Sequence, residues 1–109
     1  MDKLNPDAKI STPIVSWPFL KVLAQEAQKH LGKCRVGLFG SRATDKYREN
    51  SDFDIAIDHN SSQEKWAEFV LFVKESPVTL YRVDLIDLKL APPQLLQAIR
   101  RDWISLNDN

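Results

Sequence analysis

One short acidic segment constrains the fold of this chain more than any other. Apolar residues alternate in it with acidic or small ones, in the order Asp52, Phe53, Asp54, Ile55, Ala56 and Ile57. Because successive side chains of a strand point to opposite faces, a strand here sends its large apolar residues to the core and both carboxylates to the other face. The Cα atoms of Asp52 and Asp54 would then lie roughly 7 Å apart, close enough for both to bind one cation or to bridge a pair.

A glycine-serine pair precedes this segment. The β-prone run from Arg35 to Phe39 ends at Gly40-Ser41, and the polar stretch 42–51 follows. A glycine just past a strand lets the backbone approach a phosphate without an intervening side chain, and Ser41 adds a hydroxyl and an N–H. The pair therefore predicts an anion site at the end of the sheet that carries the acids.

A further acid lies downstream, at Asp84. Residues 79–88 are mostly apolar and predict a buried strand, in which Asp84 is a costly charge unless it is paired or binds a metal. If this strand lies beside Asp54, three carboxylates can hold two magnesium ions about 3.5–4 Å apart. The alternatives are that Asp84 pairs with Arg82 or Arg35, and that the other two acids are solvated.

Apolar stripes at helical spacing predict three helices. They run from about Pro18, capped by Ser16, to Gly32, from about Gln63 to Glu75, and from Pro92-Pro93 to Trp103. With the strands, the predicted order is α, β, β, α, β, α. This order indicates an α/β (α+β) sandwich, a small mixed sheet flanked by helices.

Length and charge limit the class of protein. A chain of 109 residues fits one domain, which we place at residues 18–109 after an irregular, proline-containing arm at residues 1–17. Lys plus Arg and Asp plus Glu number 15 each, so no positive field favours direct nucleic-acid binding. No apolar run approaches the roughly 20 residues of a membrane span, and a single cysteine leaves no internal disulfide. We expect a cytoplasmic protein without membrane contact.

The combined motif resembles a known signature. Gly40-Ser41, ten intervening residues and Asp52-x-Asp54 within a strand are similar to the pattern of the DNA polymerase β-like nucleotidyltransferases, above all their minimal, single-domain branch. The resemblance covers roughly residues 36–88. It implies the polymerase β-like fold for this domain.

The resemblance also implies roles for particular residues. Gly40 and Ser41 hold the triphosphate, and Asp52, Asp54 and Asp84 are the catalytic, metal-binding carboxylates for Mg²⁺, two ions being expected. We add Arg42 as a candidate contact to a phosphate oxygen, although Arg42, Lys46 and Arg48 also fit a solvated charged loop.

The implied reaction is magnesium-dependent transfer of a nucleoside monophosphate, AMP from ATP, to a hydroxyl group. Minimal members of this family are similar to the antitoxins of toxin–antitoxin pairs, whose partner is a HEPN-type ribonuclease modified on a tyrosine. Because the chain has no second domain for an acceptor, we expect the acceptor on a partner protein and hence a hetero-oligomer.

The chain departs from the family pattern at one place. Many relatives continue the motif as Arg-Ala-Arg-Gly, whereas this chain has Arg42-Ala43-Thr44-Asp45. Asp45 tolerates left-handed conformations better than most residues. The missing glycine favours an alternative, a non-catalytic antitoxin that masks its partner. A second alternative, a small-molecule nucleotidyltransferase of the aminoglycoside-modifying kind, is disfavoured by the lack of a second domain.

Overall fold

The computed structural model describes residues 13–76 and 78–107. Its elements are α1 (Phe19–Leu31), β1 (Cys34–Phe39), β2 (Phe53–His59), α2 (Gln63–Glu75), β3 (Val83–Asp87), a 3-10 turn (Leu88–Leu90), α3 (Pro93–Asp102) and β4 (Ile104–Ser105). Residues 13–16 are also helical.

Within these residues the strands form one mixed sheet in the order β3-β2-β1-β4. β1 is antiparallel to both β2 and β4, whereas β2 and β3 are parallel. The predicted small mixed sheet flanked by helices is therefore confirmed. β2 occupies an inner position, so both of its edges are fixed by a neighbouring strand.

Both faces of the sheet are covered, each by its own apolar cluster. On one face α1 and α2 pack over the sheet; the buried residues there include Leu20, Leu23, Ala27, Val36, Leu38, Phe53, Ile55, Ile57 and Phe69. On the other face α3 packs against the sheet; Phe39, Ala56 and Ile99 are buried, with Leu95 and Trp103 against them. The alternation expected for β2 is thus observed, with Ala56 on the face opposite to Phe53.

The helix ends follow ordinary capping chemistry, with one correction. α1 ends at Gly32, which has φ +77° and donates its N–H to the carbonyl of Gln28. α2 begins after Ser62, whose hydroxyl accepts the N–H of Lys65. The predicted Ser16 cap of α1 is wrong: α1 follows Pro18 without a side-chain cap. No helix in the described ranges is long and apolar enough to cross a bilayer.

The expected irregular N-terminal arm comprises residues 1–17, and the structure describes its residues 13–17. Residues 1–12 lie outside the described residues. For residues 13–16 the expectation is wrong, because they are helical and the Trp17 N–H donates to the Pro13 carbonyl at 2.8 Å. The Trp17 ring packs edge-on against Phe53, with centroids 5.0 Å apart. This contact packs the end of the 13–17 segment against a core residue of β2.

The predicted strand over residues 79–88 needs a correction. The observed β3 is shorter, and it is an edge strand rather than a buried one. Leu80 is fully exposed before the strand begins, and Asp84 is exposed within it. The edge position removes the burial cost that the sequence assigned to the Asp84 carboxylate.

A short strand that the sequence did not predict, β4, follows α3. β4 pairs with β1, and the Leu106 N–H donates to the Val36 carbonyl at 2.8 Å. The Asn107 amide extends this pairing, since its oxygen accepts the Val36 N–H and its nitrogen donates to the Cys34 carbonyl. A strand of two residues has no periodicity that the sequence could reveal.

A buried polar pair closes the opposite end of β2 and β3. His59 Nε2 lies 3.3 Å from Asp87 Oδ2, without hydrogen-bond geometry, and Nδ1 accepts the Ser61 N–H. Asp87 also accepts from the Gln63 amide and from the Lys89 N–H. Asp87 is thus the last residue of β3 and lies at the other end of this strand pair from Asp54 and Asp84.

Gly37 gives a test of the packing under α3. A Cβ at this position would lie 2.5 Å from three ring atoms of Trp103. We expect Gly37→Ala to lower the free energy of unfolding by about 1–3 kcal/mol, the usual cost of overpacking, as measured by urea denaturation. In a Trp103→Leu background the same change should cost less, because the indole is gone. Equal costs in both backgrounds would contradict this packing.

Candidate active site

Strand register brings four of the predicted site residues to one end of the sheet. In β2, Asp54 lies opposite Phe39 of β1 and opposite Asp84 of β3. Asp52 directly precedes β2, and Gly40 directly follows Phe39. Because in-register residues of neighbouring strands point to the same face, the Asp54 and Asp84 side chains lie side by side. The expectation that a strand bearing Asp84 lies beside Asp54 is confirmed.

The backbone of Gly40 lies directly against the Asp54 carboxylate. Gly40 has φ +79°, a conformation that favours glycine, and a Cβ there would lie 2.5 Å from Asp54 Oδ2. Two independent constraints, the left-handed backbone and the close carboxylate, therefore require glycine. The anion-binding turn predicted from the sequence and the acid on β2 are thus in immediate contact.

The turn after Gly40 is held by its own hydrogen bonds. The Ala43 N–H donates to the Gly40 carbonyl, and the N–H groups of Thr44 and Lys46 donate to the Ser41 carbonyl. Asp45 has φ +64° and is, among the described residues, the one non-glycine residue with a positive φ. Asp45 therefore adopts the left-handed conformation that glycine would supply.

The acids repel one another. Burial raises the pKa of Asp54 above its ordinary value, and the neighbouring carboxylates of Asp84 and Asp52 raise it further. Compensation is weak: Arg82, a largely exposed residue, approaches Asp52 at 3.6 Å. Such a set of partly uncompensated carboxylates suits a hard divalent cation.

The Asp52, Asp54 and Asp84 side chains do not form a preformed metal site. Within residues 13–76 and 78–107, no group of three His, Cys, Asp or Glu side chains converges on a common point. The donor chemistry fits Mg²⁺, because this ion takes one or two carboxylates and completes its octahedron with water and phosphate oxygens. Asp52 and Asp54 are the residues that would hold it, with Asp84 beside them.

An open cleft of about 570 Å³ adjoins the glycine-serine turn. Its lining consists of Gly40, Ser41, Thr44, Lys46, Arg101 and Asp102. The Arg101 guanidinium donates to both carboxylate oxygens of Asp102, at 3.0 and 3.3 Å. These hydrogen bonds lower the pKa of Asp102, and smaller contributions in the same direction come from the Gly40 N–H and from Lys46. The groups around the turn therefore favour negative charge.

Arg42 occupies a different place from the solvated loop that the sequence allowed. Its residue is buried, and its guanidinium donates to the carbonyls of Ser51 and Glu49. The Arg42 guanidinium thus has hydrogen-bond partners within the protein itself. A direct contact between Arg42 and a phosphate oxygen stays a prediction.

The alternative partners of Asp84 are also resolved. Arg35 forms an ion pair with Asp58, with Nη2 and Oδ2 2.6 Å apart, and Arg82 Nε lies 3.6 Å from Asp52 Oδ1. Neither arginine pairs with Asp84, so the alternative that Asp84 forms an ion pair with Arg82 or Arg35 is wrong. Its carboxylate faces solvent beside Asp54.

Sequence reasoning missed the contribution of the end of α3. Arg101 and Asp102 are some sixty residues from Gly40 in sequence, and nothing in their local pattern indicates a site. They reach the turn because α3 packs across the sheet and ends beside Gly40. The sequence fits Lys46 to a solvated loop. In the structure Lys46 lines the cleft, where its charge contributes to lowering the pKa of Asp102.

The family of the chain follows from its sequence as a whole. The family model described as polymerase beta, nucleotidyltransferase, matches residues 23–109. The chain therefore belongs to the polymerase beta nucleotidyltransferase family, and the resemblance carried by Gly40-Ser41 and Asp52-x-Asp54 is confirmed. No curated protein matches the sequence significantly.

Solved structures give the same fold. A toxin–antitoxin crystallised with AMP-PNP matches with a TM-score of 0.65 and 23% identity, over 84% of this chain and 73% of the other. A mutant of the toxin–antitoxin MntA–HpeT matches with a TM-score of 0.65 and 22% identity, over 83% and 73%. At these identities the likeness establishes the fold.

The raised pKa of Asp54 predicts a stability cost that its neutral isostere removes. We expect Asp54→Asn to raise the free energy of unfolding at pH 7, without divalent cations, by about 0.5–1 kcal/mol, a modest gain because solvent screens this partly buried group. The gain should shrink as the pH falls through the raised pKa of the folded state, where Asp54 becomes neutral, and should be lost below 3.8, the ordinary value that applies to the unfolded chain.

The matched control lies on the same strand. Asp58→Asn removes the carboxylate that pairs with Arg35 and should give no stabilisation. Urea denaturation at several pH values measures both variants. A loss of stability in Asp54→Asn at pH 7 would contradict the repulsion among the three acids.

The left-handed conformation of Asp45 gives a second prediction. Asp45→Gly should change the free energy of unfolding by no more than about 0.5 kcal/mol, because relief of backbone strain offsets the greater freedom of the unfolded chain. Asp45→Val should lower it by about 1–2 kcal/mol, since a β-branched residue is poorly tolerated at positive φ. Lys46→Val is the neighbouring control, and a comparable loss there would contradict the assignment of strain to position 45.

Proposed function

We propose that this protein is a magnesium-dependent nucleotidyltransferase that transfers AMP from ATP to a hydroxyl group on a partner protein, a HEPN-type toxin. The observation that carries the proposal is the contact of Gly40 with Asp54, which is itself in register with Asp84. A turn suited to phosphates and a set of acids suited to Mg²⁺ thus meet at one end of the sheet. Family membership supports the same reaction class.

The triphosphate would lie along the cleft beside Gly40 and Ser41. The Ser41 hydroxyl and main-chain N–H groups at the turn serve as donors to phosphate oxygens, and Lys46 and Arg101 supply positive charge. Arg101 is already paired with Asp102, so we expect a bound phosphate to compete with that carboxylate for the guanidinium.

The reaction is an in-line displacement at the α-phosphorus. The acceptor oxygen forms the new bond, the bond to the bridging oxygen of the β-phosphate breaks, and pyrophosphate leaves with that electron pair. Asp84, exposed beside Asp54, is placed to take the hydroxyl proton. Bound at Asp52 and Asp54, Mg²⁺ would neutralise phosphate charge. Positioning and charge neutralisation supply most of the catalysis, and no covalent enzyme intermediate is required.

A protein acceptor agrees with the surface around Asp84. Leu80 and Tyr81, immediately before β3, are exposed, and an apolar groove between α2 and β3 opens beside Asp84. Exposed apolar groups near a reactive carboxylate are expected where another chain docks. The two structural neighbours are toxin–antitoxins, and one of them was crystallised with AMP-PNP, which points in the same direction for this chain.

The masking alternative loses its main argument. It rested on Asp45 in place of a glycine, but Asp45 adopts the left-handed conformation that the glycine would provide. The turn is therefore formed, and the departure from the family motif gives no structural reason for inactivity. Masking without catalysis becomes an outcome of the experiment below.

Labelled ATP distinguishes the candidate functions. With α-labelled ATP, Mg²⁺ and the product of the adjacent gene, we expect label on the partner protein. The double variant Asp52→Asn, Asp54→Asn should reduce labelling by more than about 100-fold, since the loss of even outer partners of metal ligands costs 10- to 100-fold. Asp58→Asn, on the same strand but at its other end, should label like the wild type.

Each alternative has its own signature in this experiment. Label that persists in the double variant would place the chemistry elsewhere. Toxin inhibition by an unlabelled complex, unchanged in the double variant, would establish masking. Pyrophosphate release that depends on a small hydroxyl compound, without the partner, would establish the small-molecule reaction.

A further inference from the structure

We propose that Arg42 is a positioning residue, which fixes Asp52 and the strand of Asp84 relative to the Gly40-Ser41 turn; this inference rests on the proposed function. Arg42 directly follows the Gly40-Ser41 pair in the turn, yet its side chain points inward and the residue is only 5% exposed. In the described part of the chain no carboxylate pairs with it. A buried cation without a carboxylate partner is costly, so its retention calls for a specific explanation.

The first part of the explanation is the backbone around Asp52. Arg42 Nε and Nη2 donate to the Ser51 carbonyl at 3.3 and 3.0 Å, and Nη2 also donates to the Glu49 carbonyl at 3.1 Å. On the other side of Asp52, the Phe53 ring lies under the guanidinium, 4.4 Å from Cζ. Arg42 thus contacts both residues that flank Asp52 without approaching its carboxylate closely enough to form an ion pair.

The second part is a set of aromatic rings that surrounds the guanidinium, hereafter the aromatic box. The ring centroids of Trp17, Tyr47, Phe53 and Tyr81 lie 5.3, 4.5, 4.4 and 5.2 Å from Arg42 Cζ. Each ring comes from a different segment of the chain. Tyr81 stands three residues before Asp84, and its ring also packs on Phe53 at 5.0 Å. The box therefore joins the segment before β3 to the start of β2.

A direct backbone bond completes the connection. The Phe53 N–H donates to the Arg82 carbonyl at 2.9 Å, at the point where β2 and β3 begin. The residues around Asp52 and those before Asp84 are consequently held to each other and to Arg42. Since Arg42 adjoins Ser41 in the chain, one side chain relates the phosphate-binding turn to both acidic segments.

Only arginine satisfies this geometry. Its planar guanidinium donates in several directions at once and stacks against aromatic faces, whereas a lysine ammonium is a compact, strongly hydrated charge. Lysine at position 42 keeps the charge and much of the apolar stem. It cannot reproduce the paired donation to Ser51 and Glu49 within the box. Arg42→Lys therefore separates positioning from charge.

Metal binding gives the first test. With Mn²⁺ as a paramagnetic probe, titrated by electron paramagnetic resonance, we expect Arg42→Lys to weaken binding about 10-fold, the effect typical of losing a partner that orients a metal ligand. Arg48→Lys is the matched control, an exposed arginine of the same loop, and should bind like the wild type. Wild-type affinity in Arg42→Lys would overturn the inference.

A readout without metal separates this inference from the proposed function. Amide hydrogen exchange of Phe53 should become at least about 10-fold faster in Arg42→Lys, while the amide of Phe69 in α2 exchanges as before. Unchanged exchange at Phe53 would overturn the positioning role. Absence of Mn²⁺ binding in the wild type would instead overturn the metal site and leave the exchange result standing.

A second variant covers the case in which Arg42→Lys fails to fold. Tyr47 closes the aromatic box from the solvent side and is 40% exposed, so Tyr47→Leu should be tolerated. It should weaken Mn²⁺ binding and speed Phe53 exchange in the same direction but by smaller factors. No change in either measurement would overturn the proposed role of the box.

Discussion

The pairing of β2 with its two neighbours is the constraint on which the rest of the structure depends. Its register sets Asp54 between Phe39 and Asp84, and so brings the glycine turn and the acids to one end of the sheet. A slip of one residue would turn every side chain to the other face. Phe53 and Ile55, both fully buried under α1 and α2, prevent that slip because it would expose them.

The negative charges at this end of the sheet are only partly compensated. Burial and two neighbouring acids raise the pKa of Asp54, while the buried guanidinium of Arg42 donates to backbone carbonyls. Around Gly40 the cleft also carries positive charge, since Lys46 and Arg101 line it. Acids beside a turn that favours anions agree with the proposed binding of a cation together with a phosphate, because perturbed electrostatics of this kind cluster at functional sites.

Elements with strong local signals were predictable from the sequence. α2 occupies the predicted range from Gln63 to Glu75, because an apolar stripe and the Ser62 cap define it. β2 was predictable from its alternation. The sheet edges were not: β3 is shorter and more exposed than its apolar run suggested, and β4 was missed. Edge strands depend on a neighbour supplied by the fold, and a short one carries no period of its own.

The sequence by itself determined the motif and the family to which it belongs: glycine and serine after one strand, and Asp52-x-Asp54 at the start of the next. Such information is local, because the spacing of a few residues along a strand settles which side chains share a face. Only the tertiary structure decided that Arg42 is buried in the aromatic box and that Arg101 and Asp102 reach Gly40. Those placements depend on how α3 and the segments before β2 and β3 pack together. Contacts between segments far apart in the chain produce no periodic pattern in the sequence, so the sequence alone does not reveal them.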